Sequence, residues 1–387
     1  MSKESDDLEQ KLKTDTRLQE LIKLDERKKA LFEKELFLKE HRATVDLNHL
    51  LKNTGDMEKA KSVSFGQMSE ENINNTVEAL ETYMAAAQNC MSFVCPAFRG
   101  LVPFFRKNLI LILADTGGGK STVVANIVFE ALANKNPATG KANRVLVLTN
   151  EEAAEDFYAR VSCLNRKWSY IKHHEFTNEQ REIFKQDIPK LASAGLTVIG
   201  DAFEGVTGWT STFEGIEMIF ENLLQNKEYY DVVIIDYYQN IASSKLDPRL
   251  GAYESQERLS QLLDKYKNIY PAPIVVMAQI NRLKDDEDTT PYNIRIKGRK
   301  IICDRATYTV ELRPNYELKY TKWVVHKSRF TGTTGDEIDT GFEKGRYVEW
   351  DTAKEIEASK ALIKKLEQKE KDQLPPGVVI DEKKEEK

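Results

Sequence analysis

The sequence predicts an α/β fold, a mostly parallel sheet with helices on both faces and antiparallel strands at its edge, preceded by a helical N-terminal region. Two observations carry this. Short continuous apolar runs recur at Leu109–Leu113, Val145–Leu148, Leu196–Ile199, Val232–Ile235 and Ile274–Met277, the composition of strands buried on both faces. Helical patterns lie between them at 120–134, 151–165, 178–194, 212–226 and 253–268, and this alternation marks a parallel, doubly wound sheet. After residue 300 the pattern changes to paired strands around 307–313, 320–327 and 346–350, which suit antiparallel edge strands.

The flanking regions read differently. Residues 5–42 lack Pro and Gly and space Leu8, Leu12, Leu18, Leu21, Ile22, Leu31, Leu36 and Leu38 in a broken helical stripe. That stripe suits a solvated helix and equally a helix that docks on a neighbouring subunit. Residues 43–68 carry linker signals at Asn53-Thr54-Gly55-Asp56 and Phe65-Gly66. A second helix follows at 69–91, where Ser69 precedes Ile73, Val77, Leu80, Tyr83 and Met84 on one face. Residues 353–372 read as a terminal helix, and the charged tail after Pro375-Pro376-Gly377 is expected to lack structure. The domain reading is therefore a charged helix and linker at 1–60, a helical linker at 61–97, a core at 98–352, and a helix with a charged tail at 353–387.

Composition narrows the class. The chain has 387 residues, 41% hydrophobic and 31% charged, enough for one large α/β domain and a smaller appendage. A net charge of −5 excludes a bulk polycation, yet a local basic channel can exist on an acidic protein. Cys90, Cys95, Cys163 and Cys303 show no metal-type spacing and read as reduced, mostly buried thiols. No apolar run suits a signal peptide or a membrane span, so a cytoplasmic protein without a membrane partner is expected.

Chemistry first shows itself at Ala114-Asp115-Thr116-Gly117-Gly118-Gly119-Lys120-Ser121, with Thr122 next. This is the phosphate-loop pattern with Ala114 in place of the first glycine, set between a buried strand and a helix as the motif requires. Three glycines let backbone N–H groups curl inward, and the helix start adds its positive end. Lys120 supplies a point charge to the phosphates of ATP, and Ser121 a hydroxyl to Mg²⁺.

Ligands in such folds bind at the carboxyl ends of the strands, and each later strand ends in a useful residue. The run 145–148 leads into Thr149-Asn150-Glu151-Glu152. A carboxylate there suits activation of a water, and equally a helix start favoured by the dipole. The run 232–235 ends in Asp236, placed as a magnesium-side acid, and 274–277 leads to Gln279, an amide able to meet the γ-phosphate.

The phosphate loop, Leu148-Thr149-Asn150-Glu151-Glu152-Ala153-Ala154-Glu155 with Arg160, Ile234-Ile235-Asp236-Tyr237-Tyr238-Gln239, Ala278-Gln279-Ile280-Asn281-Arg282 and Val325-His326-Lys327-Ser328-Arg329-Phe330-Thr331-Gly332-Thr333-Thr334-Gly335 together resemble the DnaB-type replicative helicases. Order and approximate spacing agree over about residues 98–350. The resemblance implies a RecA-like P-loop NTPase core, an ATP hydrolase and DNA helicase that acts as a hexamer on single-stranded DNA with 5′-to-3′ polarity. It implies ATP and Mg²⁺ as ligands, with Ser121 and Asp236 on the metal. It makes Glu151 the catalytic base, Gln279 the γ-phosphate sensor, and Lys327 and Arg329 the pair that reaches a neighbour's ATP site. The compartment it implies is the cytoplasm of a bacterium or a phage-infected host.

The family's N-terminal domain is larger than the roughly 95 residues that precede this core. This resembles a reduced, phage-type version. A primase or helicase loader is a family partner, although primase binding is not carried over by so short a region. Central loops of the family point to 242–252, with Lys245 and Arg249, and to 283–300, with Lys284, Arg295, Lys297, Arg299 and Lys300, as DNA-binding positions. Asp285-Asp286-Glu287-Asp288 would repel phosphate unless turned away. Two other functions stay open at this point: a RecA-like recombination ATPase forming filaments on DNA, and a non-translocating ATPase switch.

Overall fold

The computed structural model describes residues 108–350, apart from 137–139, 171–174, 204–205, 242–246, 248, 284–287, 316–319 and 330–331, together with scattered positions between 73 and 98. The expected helices at 5–42 and 353–372, the linker at 43–68, most of the helix at 69–91, Cys90, Lys245 and Lys284 lie outside the described residues. The chain divides between Val77 and Glu78, and the fold described here belongs to the C-terminal unit.

Five strands form the parallel part of the sheet: β1 (Leu109–Ala114), β2 (Val145–Thr149), β3 (Leu196–Ile199), β6 (Val232–Asp236) and β7 (Ile274–Gln279). Ala202–Phe203 and Val206–Thr207, β4 and β5, make a separate small hairpin. The helices between them are α1 (Lys120–Ala133), α2 (Ala154–Arg166), α3 (Asn178–Ser193), α4 (Phe213–Gln225) and α5 (Ala252–Ile269), followed by short α6 (Tyr292–Arg295) and α7 (Ile301–Arg305). Then come β8 (Tyr308–Asn315), β9 (Tyr320–Ser328), β10 (Glu337–Glu343) and β11 (Arg346–Glu349). The nine-stranded order is β11-β10-β9-β8-β1-β7-β6-β2-β3. β8 still runs parallel to β1, and the chain reverses only from β9 onward.

The apolar runs form strands because both faces are covered. Alternate residues point to opposite sides. Ile110, Ile112, Val145, Val147, Ile234 and Val275 pack with Val124, Ile127, Val128 and Phe157 of α1 and α2. Leu109, Leu111, Leu113, Leu146, Val233 and Ile235 pack with Ile216, Phe220, Leu259 and Leu263 of α4 and α5. At about 1.5–3 kcal/mol for each fully buried large side chain, these two layers dominate the stability of the core.

Register puts the strand ends level. Ala114 pairs with Gln279 and Thr149 with Asp236, so the phosphate loop, Asn150, Asp236 and Gln279 leave the sheet at one edge. Two departures from the expected pattern matter. The helix expected from 151 starts at Ala154, with Glu155 and Asp156 in its first turn. Glu151 and Glu152 therefore precede the helix, which removes the helix-start explanation for them. β10 falls outside the expected pattern: Glu337-Ile338-Asp339-Thr340-Gly341-Phe342-Glu343 is too polar to read as a strand, and it pairs as part of an exposed edge.

Candidate functional site

The phosphate loop follows from the end of β1. Ala114 is buried at the strand terminus, where the small side chain fits the close quarters. A Cβ at Gly118 would stand 2.9 Å from the Asp115 carbonyl oxygen, which accepts from the Gly118 N–H, so only glycine allows this tight curl. Gly119 adopts φ 86° and starts α1 without a side-chain cap, and the first turn holds no acidic residue. By contrast, α3 and α4 are capped by Thr177 and Thr212. An uncapped, acid-free helix start concentrates unmatched N–H groups and positive dipole, the environment that a phosphate neutralises. Thr122 stands in this first turn, and Lys120 is largely buried with Nζ 5.1 Å from the centre of the Tyr237 ring.

Ser121 Oγ donates to Asp236 Oδ2 at 3.0 Å. Asp236 is buried, and its Oδ1 has no hydrogen-bond partner among the described residues. Burial pushes its carboxyl up to about 7, the Ser121 hydrogen bond opposing and the charges of Glu151 and Glu152 adding to the rise. A hydroxyl beside a buried carboxylate oxygen that lacks a partner is a donor set suited to a hard divalent cation. Among the described residues no group of three or more His, Cys, Asp or Glu could hold a metal, so a cation here would take its other ligands from phosphate and water.

The two glutamates after β2 differ in their commitments. Glu152 accepts from Arg160 at 2.6 and 3.3 Å. Glu151 is exposed and makes no hydrogen bond among the described residues, while its charge is felt at Asp236. Between the strands, two side-chain amides tie the ends together. Asn150 Oδ1 accepts from Tyr237 N–H and its Nδ2 donates to the Tyr237 carbonyl, each at 3.0 Å, across the cis peptide Asp236–Tyr237. Gln239 does the same for Gln279, accepting from its N–H at 2.8 Å and donating to its carbonyl at 3.0 Å. Each amide replaces the ladder partner that the splaying strands no longer supply. Neither role is visible in the sequence, because nothing in a strand-end Asn or Gln states which backbone it will meet.

Gln279 Nε2 donates to Thr116 Oγ1 of the loop, and Arg282 pairs with Asp115 at 3.1 Å. Lys327 and Arg329 are not brought to this site. Lys327 Nζ donates to the carbonyls of Cys303 and Asp304 at 2.8 and 2.9 Å, and Arg329 Nη2 to Asp304 at 2.8 Å. In register Lys327 lies beside Thr309, and Arg329 N–H bonds the Thr307 carbonyl, while Thr307 N–H bonds the Leu109 carbonyl at the start of β1. The pair thus sits toward the opposite end of the sheet from the loop, a strand length of roughly 17–20 Å away.

The expected DNA-binding cations divide. Arg295 is corrected: it is 4% exposed and held by Glu311 through two hydrogen bonds of 2.8 and 2.7 Å, so its charge is spent inside the fold. Lys297 is corrected as well, since Nζ turns to Thr116 Oγ1 at 3.4 Å, toward the phosphate loop. Arg299 pairs with Glu257 at 2.6 Å at the surface, and Arg249 and Lys300 are exposed. Cys95, Cys163 and Cys303 are buried free thiols.

Comparison with known proteins agrees with this arrangement. The solved ATPase domain of a DnaB-like helicase superposes with TM-score 0.57 at 14% identity, over 74% of this chain and 100% of that one. A DnaB-like replicative helicase, solved in a study of its interactions with primase, gives TM-score 0.53 at 13% identity, over 81% of this chain and 77% of that one. Identities this low speak for the fold alone, a RecA-like helicase core. No curated protein sequence matches the chain. A family model described as the DnaB-like helicase C-terminal domain matches residues 99–344, well over half of the sequence, and the chain belongs to that family of ATP-hydrolysing replicative DNA helicases.

Proposed function

We propose that this chain is the motor of a hexameric ring that moves 5′ to 3′ on single-stranded DNA and hydrolyses ATP between subunits. The observation that carries the shared site is the separation of Lys327 and Arg329 from the chain's own phosphate loop. Two cations that cannot reach the phosphates beside them are of use only to a neighbour's.

Within one subunit, the N–H groups of the loop and Lys120 bind the phosphates of ATP, and Ser121 and Asp236 hold Mg²⁺. The ion, when bound, neutralises charge on the β- and γ-phosphates. Glu151 has no competing partner among the described residues, unlike Glu152, and accepts the proton of the attacking water. Gln279 touches Thr116 on one side and heads the loop that begins at Ile280 on the other, so it carries the state of the γ-phosphate to that loop. Lys327 and Arg329 leave the Cys303 and Asp304 carbonyls to meet the neighbour's nucleotide.

Arg249, Arg299 and Lys300, with Lys245 and Lys284 outside the described residues, form the cationic lining for the DNA backbone. The core at 98–352 works with the region before it as the arm that meets the next subunit. A primase or a loader would have to engage a surface other than the family's large N-terminal domain. No helix among the described residues is long and apolar enough to cross a membrane.

The experiment is strand displacement from a forked DNA with defined 5′ and 3′ tails. Displacement that needs ATP and the 5′ tail, and is lost in Arg329→Ala, supports the reading. ATP turnover indifferent to single-stranded DNA would sink it, and filaments in place of rings in electron micrographs would favour a recombination ATPase.

A further inference from the structure

The run Arg295-Ile296-Lys297-Gly298-Arg299-Lys300 looks in sequence like one basic loop, but the fold sends its four cations to separate places. Arg295 goes inward to Glu311, Arg299 goes to Glu257, and Lys300 faces solvent. Lys297 alone turns to the nucleotide side, half-buried, with Nζ 3.4 Å from Thr116 Oγ1, the hydroxyl that also meets the Gln279 amide.

The backbone leaves this side chain little choice. Lys297 N–H donates to the Gln279 carbonyl at 2.9 Å, and its own carbonyl accepts from Gln239 Nε2 at 2.6 Å. Ile296 bridges Ile280, and the Asn281 N–H donates to the Arg295 carbonyl at 2.9 Å. Gly298 follows at φ +89°, where a Cβ would collide with the Gln256 side chain that also accepts from Arg299 N–H. The segment returning from the loop after β7 is therefore laid antiparallel along 279–281, with position 297 facing the phosphate loop.

A lysine ammonium is poorly used on one neutral hydroxyl at 3.4 Å. The site flanked by Glu151, Asp236 and Gln279 is the open side of the loop, toward which the last phosphate of a bound triphosphate projects. We propose that Lys297 binds the terminal phosphate of the nucleoside triphosphate, in the same subunit as the phosphate loop, and thereby distinguishes triphosphate from diphosphate. This rests on the reading of 114–121 as the ATP site. It makes Lys297 a second cation on the nucleotide beside Lys120, carried by the chain segment that closes the loop after β7.

The test uses the full chain without DNA, a fluorescent non-hydrolysable ATP analogue and the matching ADP, and the variants Lys297→Met, Lys297→Arg and Lys120→Ala. Lys297→Met should weaken the triphosphate by about 10-fold or more, the loss expected for a charged hydrogen bond, and leave the diphosphate within about twofold. Lys297→Arg should restore most of the difference, which a purely packing role would not predict. Equal binding of both nucleotides to Lys297→Met and wild type, or an equal loss of both, overturns the assignment. So does a loss confined to single-stranded DNA affinity, which would return Lys297 to the DNA lining. Lys120→Ala should lose both nucleotides; if it does not, the ATP-site reading itself fails, a result separate from the behaviour of Lys297.

Discussion

Arg295 and Glu311 face each other in the interior as a doubly hydrogen-bonded ion pair, each side chain 4% exposed. Glu311 lies beside Leu113 of β1, one residue before the last of that strand, and it also accepts from Arg313 and contacts His326. The pair is what holds the returning segment 290–297 against the central strand. Arg295→Met leaves a buried carboxylate with two weaker partners, so it should lower unfolding free energy by about 3 kcal/mol. A urea midpoint that falls with an unchanged slope would check this. A change below about 0.5 kcal/mol, the size of an ordinary surface substitution, would count against it.

The same carboxylate predicts a pH dependence. Burial pushes the Glu311 carboxyl up, but hydrogen bonds from His326, Arg295 and Arg313 outweigh it and leave the group well below the ordinary glutamate range. A folded pKa below the unfolded value of about 4.3 means its stabilisation is present above pH ~4.3 and lost as pH falls toward the folded value. Wild type should therefore lose stability in acid more steeply than Glu311→Gln, with the two denaturation curves converging below about pH 4.

Asp236→Asn removes the charge that Ser121 and the unpartnered Oδ1 prepare for a cation, with little change in shape. Turnover of ATP should fall by about 100-fold or more, while the fold is kept or gains stability because a buried charge is gone. Steady-state ATPase together with a thermal melt reads both.

Subunit sharing has its own signature. Lys120→Ala damages the loop of its own site, and Arg329→Ala damages a neighbour's. Each variant alone should be nearly inactive. Mixed in equal amounts, they should regain a substantial fraction of turnover, because a sound loop then meets a sound arginine at some interfaces. No recovery on mixing, with mixed assemblies shown by pull-down of a tagged variant, would place Arg329 outside the neighbour's site.

Much of this architecture could be read in the chain itself, and the reason is physical. Strands covered on both faces require continuous apolar runs, so Leu109–Leu113 and Val232–Ile235 announce themselves, and the polar residue that ends each run falls at the ligand edge. β10 stayed hidden because an edge strand with one face in water carries little apolar pattern; Gly341 is there for closeness, with Val348 Cγ2 3.1 Å from where its Cβ would stand. The cations at 295–300 could not be sorted, since outside a regular element there is no period to say which side chain turns inward. Asn150 was legible only as part of a motif, and its service to the Tyr237 backbone emerged from the register of β2 with β6.

The placement of Lys327 and Arg329 far along the sheet from Ala114 has a consequence for symmetry. The surface that lends the cations and the surface that receives them are different patches of the molecule. One two-fold contact between a pair of subunits cannot bring both together, because such a contact joins a patch to its own copy. Completion of the site demands head-to-tail joining, in which each subunit gives on one side and takes on the other. Such a chain of contacts has a direction built into it, and it either closes on itself or winds into a helix. The polarity of any movement along DNA is then already present in the asymmetry of a single sheet, before any DNA is bound.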